Sequence, residues 1–131
     1  MNKKVITGKF VPNSPLPFSP ALQNGDYLFV SGQASVDLEG KIVEGTFEEE
    51  CRRSFENVRH ILEAAGLGFQ DVIQVRNYVG NQKDLAAFNQ IYREFFKEPY
   101  PARTTLIGCL GDLLKFEVDV VAYLGNEKSS V

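Results

Sequence analysis

Two stretches of the chain repeat apolar residues at spacings of three and four, which is the period of an amphipathic helix. The first stretch begins at Thr46, which forms a capping-box pattern with Glu49, and it ends at Gly66. Its apolar stripe consists of Phe47, Cys51, Phe55, Val58, Leu62 and Ala65. The second stretch runs roughly over residues 83–97, with a stripe of Leu85, Phe88, Tyr92, Phe95 and Phe96. The pattern therefore predicts two helices, each with one apolar face.

Runs of β-branched, aromatic and alternating residues predict six strands. These strands are residues 4–7, 27–33, 41–43, 71–80, about 102–109 and 115–123. The turn signal Gly111-Asp112 predicts that the last two strands form a hairpin. The order β-β-β-α-β-α-β-β predicts an α+β fold, a mixed sheet with two helices packed on one face. The other face must also be buried, and Val30, Val118 and Val120 are expected to supply apolar residues for it.

Length and charge narrow the class of protein. The 131 residues suit a single domain spanning 1–131, with an ordered core over about 4–123 and a polar tail over 124–131. The net charge of −3 gives no electrostatic reason to expect binding to nucleic acid or to an anionic membrane. No apolar run has the length of a membrane span, and the N-terminus lacks the apolar region of a signal peptide. We therefore expect a cytoplasmic protein.

The cysteines and the histidine do not form a metal-binding pattern. Cys51 and Cys109 lie far apart in different predicted elements, and His60 is the only histidine. Cys51 lies on the first apolar stripe and is predicted to be a buried apolar residue. The run Glu48-Glu49-Glu50 is predicted to be a solvated first helical turn. No nitrogen or sulfur metal set is expected, while an all-carboxylate site stays open.

The clearest candidate for chemistry is Arg103, near the start of the extended run that follows two prolines. An arginine among apolar residues can bind a carboxylate through two parallel hydrogen bonds. It can equally be a strand-end arginine that pairs with a neighbouring acid or reaches water, and the residues alone leave both readings open. Glu117 and Asp119 share one strand face, about 7 Å apart. Arg103 and Glu117 would share a face only if the predicted hairpin had an odd loop or a bulge.

Three further features are candidates for the walls of a cleft. Phe18 lies in the proline-rich loop 8–20, where it either plugs a core edge or lines a pocket. Ser31-Gly32 ends a strand, and such a glycine marks a plain turn or the close approach of a ligand. Asn89 lies beside the second apolar stripe, where an amide faces solvent or borders a cleft.

Four segments together resemble the YjgF family, also called the reactive intermediate deaminases or RidA. They are Phe29-Val30-Ser31-Gly32-Gln33, Asn89, Pro101-Ala102-Arg103-Thr104-Thr105 and Phe116-Glu117-Val118. The resemblance covers roughly residues 4–123. It implies a chorismate-mutase-like fold, assembled as a homotrimer with a ligand cleft at each subunit interface. It also implies hydrolysis of 2-imino acids, the tautomers of reactive enamines, to 2-oxo acids and ammonia, without a metal or a cofactor.

The resemblance also implies roles for individual residues. Arg103 corresponds to the arginine that binds the substrate carboxylate, and Glu117 to the acid that positions and activates the attacking water. The positions that correspond to the cleft lining are Ser31, Gly32 and Asn89. An imine carbon is electrophilic, so a carboxylate that accepts a proton from water suits the reaction.

Two positions depart from the deaminase pattern. Phe18 stands where the deaminases carry a tyrosine, so the wall is kept and a hydroxyl is lost. Thr105 stands where many carry a cysteine, so a small polar group is kept. Both positions are expected to line the substrate site.

Two alternatives to an imine deaminase stay open. One is a non-catalytic homotrimer that uses the same cleft to bind a 2-oxo acid or a similar small carboxylate. The other is a regulator of translation directed at RNA or protein, against which the acidic charge and the lack of a basic stripe argue. The expected partners are therefore a small 2-imino or 2-oxo acid and further copies of the chain.

Overall fold

The structure is a computed structural model that describes residues 2–125. The predicted polar tail lies outside the described residues from position 126 onward. The described part contains, in chain order, β1 (Lys4–Val5), β2 (Ala21–Asn24), β3 (Tyr27–Ala34), α1 (Phe47–Ala64), β4 (Val72–Val79), α2 (Leu85–Phe95), β5 (Ala102–Ile107) and β6 (Phe116–Tyr123). Short 3-10 turns, Phe69–Asp71 and Gln82–Asp84, precede β4 and α2.

The described strands form one mixed sheet in the order β1-β2-β3-β6-β4-β5. Neighbouring strands are antiparallel except β4 and β5, which are parallel and are connected through α2. Both helices contribute to the apolar core, and α1 packs against β3, β6 and α2. The predicted α+β layout, a mixed sheet with two helices, is therefore confirmed.

The predicted hairpin between the last two strands is wrong. β5 pairs only with β4 at the sheet edge, whereas β6 lies between β3 and β4. The predicted turn does exist, because Gly111 has a φ of 68°, but it belongs to a longer connection over residues 108–115. A connection of that length carries the chain past β4 instead of folding it directly back on β5.

The prediction of a strand over residues 41–43 is also wrong. Only an isolated bridge between Val36 and Ile42 forms there, beside a turn in which the Asp37 carboxylate accepts hydrogen bonds from the backbone N–H groups of Glu39 and Lys41. The missed strand is β2, which pairs with β3 across the Asn24-Gly25 turn. Its four residues follow a proline-rich loop and carry no β-branched side chain, so the sequence signal is weak.

The core lies between the helices and one face of the sheet. Val30, Val118 and Val120 are buried in this core, so the prediction that they supply the other face is wrong. The second face carries Phe29, which is 50% exposed, and polar side chains of β4 and β6. Under the helices, Phe55 contacts the rings of Tyr92, Phe95, Phe96 and Phe116. No helix in residues 2–125 combines the length and the apolar character needed to cross a membrane.

The N-terminus of α1 combines a predicted cap with an unpredicted buried carboxylate. The capping box between Thr46 and Glu49 is confirmed. Glu50 is only 1% exposed, so the prediction that it belongs to a solvated turn is wrong. Its carboxylate accepts hydrogen bonds from the backbone N–H of Gly45, from the backbone N–H of Lys115 and from the Lys115 ammonium. Glu50 therefore ties the start of α1 to the start of β6.

Replacing Glu50 with alanine should strongly destabilise the fold. The substitution leaves two backbone N–H groups without their acceptor. Each buried N–H group that lacks a hydrogen-bond partner lowers the free energy of unfolding by about 1–3 kcal/mol. We expect a loss of about 2–4 kcal/mol in the free energy of unfolding, measured by urea denaturation. The matched control is Glu48→Ala, two residues earlier on the exposed side of the same helical turn. Equal losses in the two variants would contradict the proposed role of Glu50.

Candidate functional site

Arg103 lies in a cleft between the C-terminal half of α2 and the start of β5. This arginine cleft has a volume of about 270 Å³ and is lined by Asn89, Tyr92, Arg93, Tyr100, Pro101 and Arg103. The Arg103 guanidinium donates a hydrogen bond of 2.6 Å to Asn89 Oδ1. Its Cζ atom lies 4.9 Å from the ring centre of Phe88 and 4.7 Å from that of Tyr92. The aromatic rings and the amide therefore fix the plane of the guanidinium.

The charge of Arg103 is not neutralised within the described chain. No carboxylate of residues 2–125 lies within ion-pair distance of its guanidinium, whereas Arg52 and Arg76 have carboxylate partners at 2.6 Å and 2.9 Å. The reading of Arg103 as a strand-end arginine paired with a neighbouring acid is therefore wrong. An oriented and exposed guanidinium without an acid partner is suited to bind an external anion.

Two hydroxyl groups on the same side of the sheet lack hydrogen-bond partners among the described residues. Thr105 Oγ1 belongs to β5 two residues after Arg103, and the Tyr92 hydroxyl belongs to the lining of the arginine cleft. Burial raises the pKa of Tyr92 to about 12, so this phenol remains protonated and can donate a hydrogen bond. The predicted site residues Arg103, Asn89 and Thr105 therefore lie on one side of the sheet.

Glu117 lies in a second and larger concavity. This glutamate cleft has a volume of about 430 Å³. The predicted site residues Phe18, Ser31, Gly32 and Glu117 all line it. Phe18 is 48% exposed and lies in the proline-rich loop, so its reading as a pocket wall is the one that fits the geometry.

The bulge in β3 brings backbone close to the Glu117 carboxylate. The pairing of β3 with β6 is interrupted between Val30 and Gln33, and the skipped residues are Ser31 and Gly32. A Cβ atom at position 32 would collide with the Glu117 carboxylate, so only glycine fits without displacing this side chain. The Ser31 hydroxyl donates a hydrogen bond of 2.6 Å to the carbonyl of Ser19. The bulge is thus held to the proline-rich loop, and the plain-turn reading of Ser31-Gly32 is wrong.

The surroundings of Glu117 make it a stronger base than an exposed glutamate. Burial raises the pKa of the Glu117 carboxyl, and the negative charge of Asp119 raises it further. Asp119 lies on the same strand face, where its carboxylate accepts hydrogen bonds from Arg76 Nε at 2.9 Å and from the Tyr78 hydroxyl at 2.8 Å. No side chain among the described residues donates a hydrogen bond to Glu117. Its carboxylate is therefore free to bind a water or a ligand.

Arg103 and Glu117 lie on opposite faces of the sheet. Arg103 is the register partner of Val75, and Glu117 is the register partner of Tyr78. Val75 and Tyr78 are three residues apart on β4, so their side chains point to opposite faces of the sheet. A side chain points to the same face as its register partner on the neighbouring strand, so Arg103 shares the face of Val75 and Glu117 that of Tyr78. Strand β4 also separates β5 from β6. The described chain therefore holds two separate clefts on opposite faces and does not bring Arg103 and Glu117 together.

Several residues of the two clefts were missed by sequence reasoning. The apolar stripe of α2 placed Phe88 and Tyr92 in the core, and nothing in the pattern showed that their rings also support an arginine. Leu16 and Leu113 line the glutamate cleft from irregular segments that have no periodicity. Among residues 2–125 there is no group of three or more histidine, cysteine, aspartate or glutamate side chains that could hold a metal ion.

Comparison with known proteins reveals extensive similarity. The model of the family described as Endoribonuclease L-PSP matches residues 11–124. A RutC family protein of Pyrococcus horikoshii is 37% identical over 123 residues, which cover 92% of this chain and 98% of that protein. The human 2-iminobutanoate/2-iminopropanoate deaminase is 30% identical over 125 residues, which cover 94% of this chain and 91% of that protein. The solved structure of E. coli TdcF with bound serine has a TM-score of 0.81 at 30% identity, covering 92% of this chain and 98% of that chain.

The pKa of Glu117 should lie above the ordinary value of 4.5 and should fall when Asp119 is replaced by asparagine. The substitution removes a negative charge that favours the protonated form, and it keeps an oxygen that can accept from Tyr78. Titration of the side-chain carboxyl carbons by NMR measures this pKa. Glu48→Gln, which neutralises an exposed acid on α1, is the control and should leave the pKa unchanged. A normal Glu117 pKa in the parent protein would refute this account.

Proposed function

Because the chain belongs to the Endoribonuclease L-PSP family, also called the YjgF/RidA family, we propose that it hydrolyses reactive 2-imino acids to 2-oxo acids and ammonia. Relatives support the reaction class, since proteins named 2-iminobutanoate/2-iminopropanoate deaminase match nearly the whole chain. The serine bound to E. coli TdcF supports a small carboxylate as the ligand. The observation that carries the proposal is the oriented, unpaired guanidinium of Arg103 together with the unpaired carboxylate of Glu117.

The two groups match the two ends of a 2-imino acid. The substrate carboxylate binds the Arg103 guanidinium, and Asn89 keeps the guanidinium in the required plane. The protonated imine carries a positive charge, which the Glu117 carboxylate attracts. This fixed orientation replaces a loose encounter between substrate and water.

Glu117 then acts as the general base. Its carboxylate accepts a proton from a water molecule while the water oxygen forms a bond to the imine carbon. The tetrahedral intermediate that results carries a hydroxyl and an amino group on this carbon. Glu117 then returns this proton to the nitrogen, and the C–N bond breaks to release ammonia. As the bond breaks, the Glu117 carboxylate takes the proton of the hydroxyl group, which leaves the 2-oxo acid, and it then passes that proton to the departing ammonia. One water molecule is consumed, and no electrons are transferred.

We propose further that each active site forms between two subunits of a homotrimer. Arg103 and Glu117 lie on opposite faces of the sheet, so a site that uses both must take them from different chains. The face that carries Glu117 also exposes apolar side chains such as Phe29, which a neighbouring chain would cover. A cyclic arrangement then places the arginine cleft of one chain against the glutamate cleft of the next.

The direct test uses imines made in the reaction mixture by an amino-acid oxidase. Semicarbazide traps the remaining imine, so hydrolysis by the protein appears as slower formation of the semicarbazone. Accelerated loss of the imine, proportional to the protein concentration, supports the deaminase. Binding of 2-oxobutyrate without accelerated hydrolysis would instead establish the non-catalytic carboxylate binder.

Replacing Arg103 with lysine should greatly reduce activity. Lysine keeps the positive charge but cannot form two parallel hydrogen bonds to a carboxylate, and it loses the contacts of the guanidinium with the rings of Phe88 and Tyr92. Loss of such a charged pair costs about 2–5 kcal/mol in the binding free energy of the substrate and the transition state. The value of kcat/KM should therefore fall roughly thirty- to several-thousand-fold. Arg52→Lys is the matched control, because Arg52 forms an exposed ion pair with Glu94 away from both clefts. Parental activity in Arg103→Lys would remove the central residue of the proposal.

Replacing Glu117 with glutamine should slow hydrolysis while 2-oxobutyrate still binds. The amide keeps the shape of the side chain but cannot accept the proton, and loss of a general base costs on the order of a hundred- to ten-thousand-fold in kcat. Turnover is measured by the trapping assay and binding by titration calorimetry. Unchanged turnover would mean that another group, with Asp119 first among them, activates the water.

Mixing the two variants tests whether the site is shared. Neither Arg103→Lys nor Glu117→Gln has a complete site alone. Random co-assembly of the two chains into cyclic trimers places a parental Arg103 opposite a parental Glu117 in about a quarter of the interfaces. Co-expressed chains should therefore recover a corresponding fraction of the parental activity. Failure to recover activity in verified mixed trimers would contradict a site shared between subunits.

A further inference from the structure

The glutamate cleft has an apolar rim that hydrolysis of the imine does not itself require. Four of its lining residues are large apolar side chains that face solvent: Leu16 is 64% exposed, Leu113 74%, Phe18 48% and Ile42 42%. Single exposed apolar residues are ordinary on a protein surface. Four that surround the same concavity indicate a surface that binds apolar material.

The rim is also poor in charge. Of the described residues that line the cleft, only Glu117 is ionisable. An anionic side chain on the substrate would meet the negative charge of Glu117, and none of the described lining residues is a cation that could compensate it. Arg103 of the neighbouring chain is already occupied by the substrate carboxylate in the proposed site. The cleft therefore suits an uncharged apolar group that extends from a cationic centre held at Glu117.

The position of the reacting carbon determines which part of the substrate meets this rim. This step depends on the proposed function, in which Arg103 of a neighbouring chain binds the carboxylate and Glu117 faces the imine carbon. The remaining substituent on that carbon is the amino-acid side chain, and it must lie in the glutamate cleft. A methyl group is too short to contact the apolar rim, whereas a branched or aromatic side chain would contact it.

We infer that the chain selects 2-imino acids with apolar side chains of about four non-hydrogen atoms or more. Imines derived from leucine, methionine and phenylalanine belong to this class. The imine derived from alanine is too small to contact the rim, and the imine derived from glutamate carries a negative charge into it. Leu16, Phe18, Ile42 and Leu113 are then the residues that determine specificity.

The substrate profile of the unmodified protein is the first test. Oxidases generate the imines of leucine, phenylalanine, alanine and glutamate in separate reactions, and semicarbazide trapping gives kcat/KM for each. Each methylene group that is transferred from water to an apolar surface raises kcat/KM roughly fourfold. A partly open rim should therefore give the leucine-derived imine a kcat/KM about tenfold or more above that of the alanine-derived imine. The glutamate-derived imine should be the poorest substrate. Equal values, or a preference for the alanine-derived imine, would overturn the inference and leave the deaminase intact.

Variants of the rim provide the second test. Leu16→Ser and Leu113→Ser change largely exposed side chains, so the core is unaffected. Each should reduce the ratio of kcat/KM for the leucine-derived over the alanine-derived imine about threefold or more. Leu38→Ser is the matched control, because Leu38 is 50% exposed on the neighbouring turn and does not line the cleft. An unchanged ratio in both rim variants would contradict the assignment of these leucines.

A binding measurement keeps the inference testable if no imine is hydrolysed. That result would refute the proposed deaminase but would leave a carboxylate-binding site open. Titration calorimetry then compares pyruvate with 4-methyl-2-oxopentanoate, which differ only in the apolar side chain. Tighter binding of the larger 2-oxo acid would support the apolar rim as a specificity element, and equal or weaker binding would overturn it.

Discussion

Successive side chains of a β-strand point to opposite faces of a sheet, and this alternation controls the arrangement of the candidate site. The odd separation of Val75 and Tyr78 on β4, the strand between β5 and β6, sends Arg103 toward the helices and Glu117 toward the open face. No rotamer change within one chain can bring the two groups together across the sheet. A catalytic role for both residues therefore makes assembly a requirement of the chemistry.

The arginine cleft and the glutamate cleft position their charged side chains by different means. Arg103 is exposed, and its orientation comes from stacking on two rings of α2 and from one amide. Glu117 depends on its backbone surroundings, because Gly32 in the bulge has no side chain and leaves room for the Glu117 carboxylate. Burial and the charge of Asp119 raise the pKa of this carboxyl. The buried Glu50 stabilises the glutamate cleft through the backbone, since its carboxylate binds Lys115, two residues before Glu117. Contacts at the start of β6 and on α2 thus position the two side chains.

Periodicity in the sequence predicted the parts of the fold that depend on local patterns. The capping box at Thr46, the stripe through Phe55 and the buried Cys51 follow from helical spacing, and the structure agrees. Strand pairing depends on tertiary packing, so a turn signal at Gly111 could not show that β6 inserts between β3 and β4. Helical spacing places Glu50 beside the apolar stripe, and this was the available signal for its burial. The site residues were predicted through short motifs shared with a family, whereas the rim leucines lie in segments without such motifs.

The edge position of β5 has a consequence for the behaviour of a separated chain. Among the strands of residues 2–125, β5 has a neighbour on one side only, and its Leu106 and Ile107 are 49% and 43% exposed. An unprotected apolar edge is a template on which strands of other molecules can add, which is the usual start of aggregation. The strand that carries Arg103 is therefore also an edge of the sheet that needs shielding. Substitutions that add a charge at Leu106 or Ile107 should accordingly slow aggregation, because a charge on an edge strand opposes the addition of further strands.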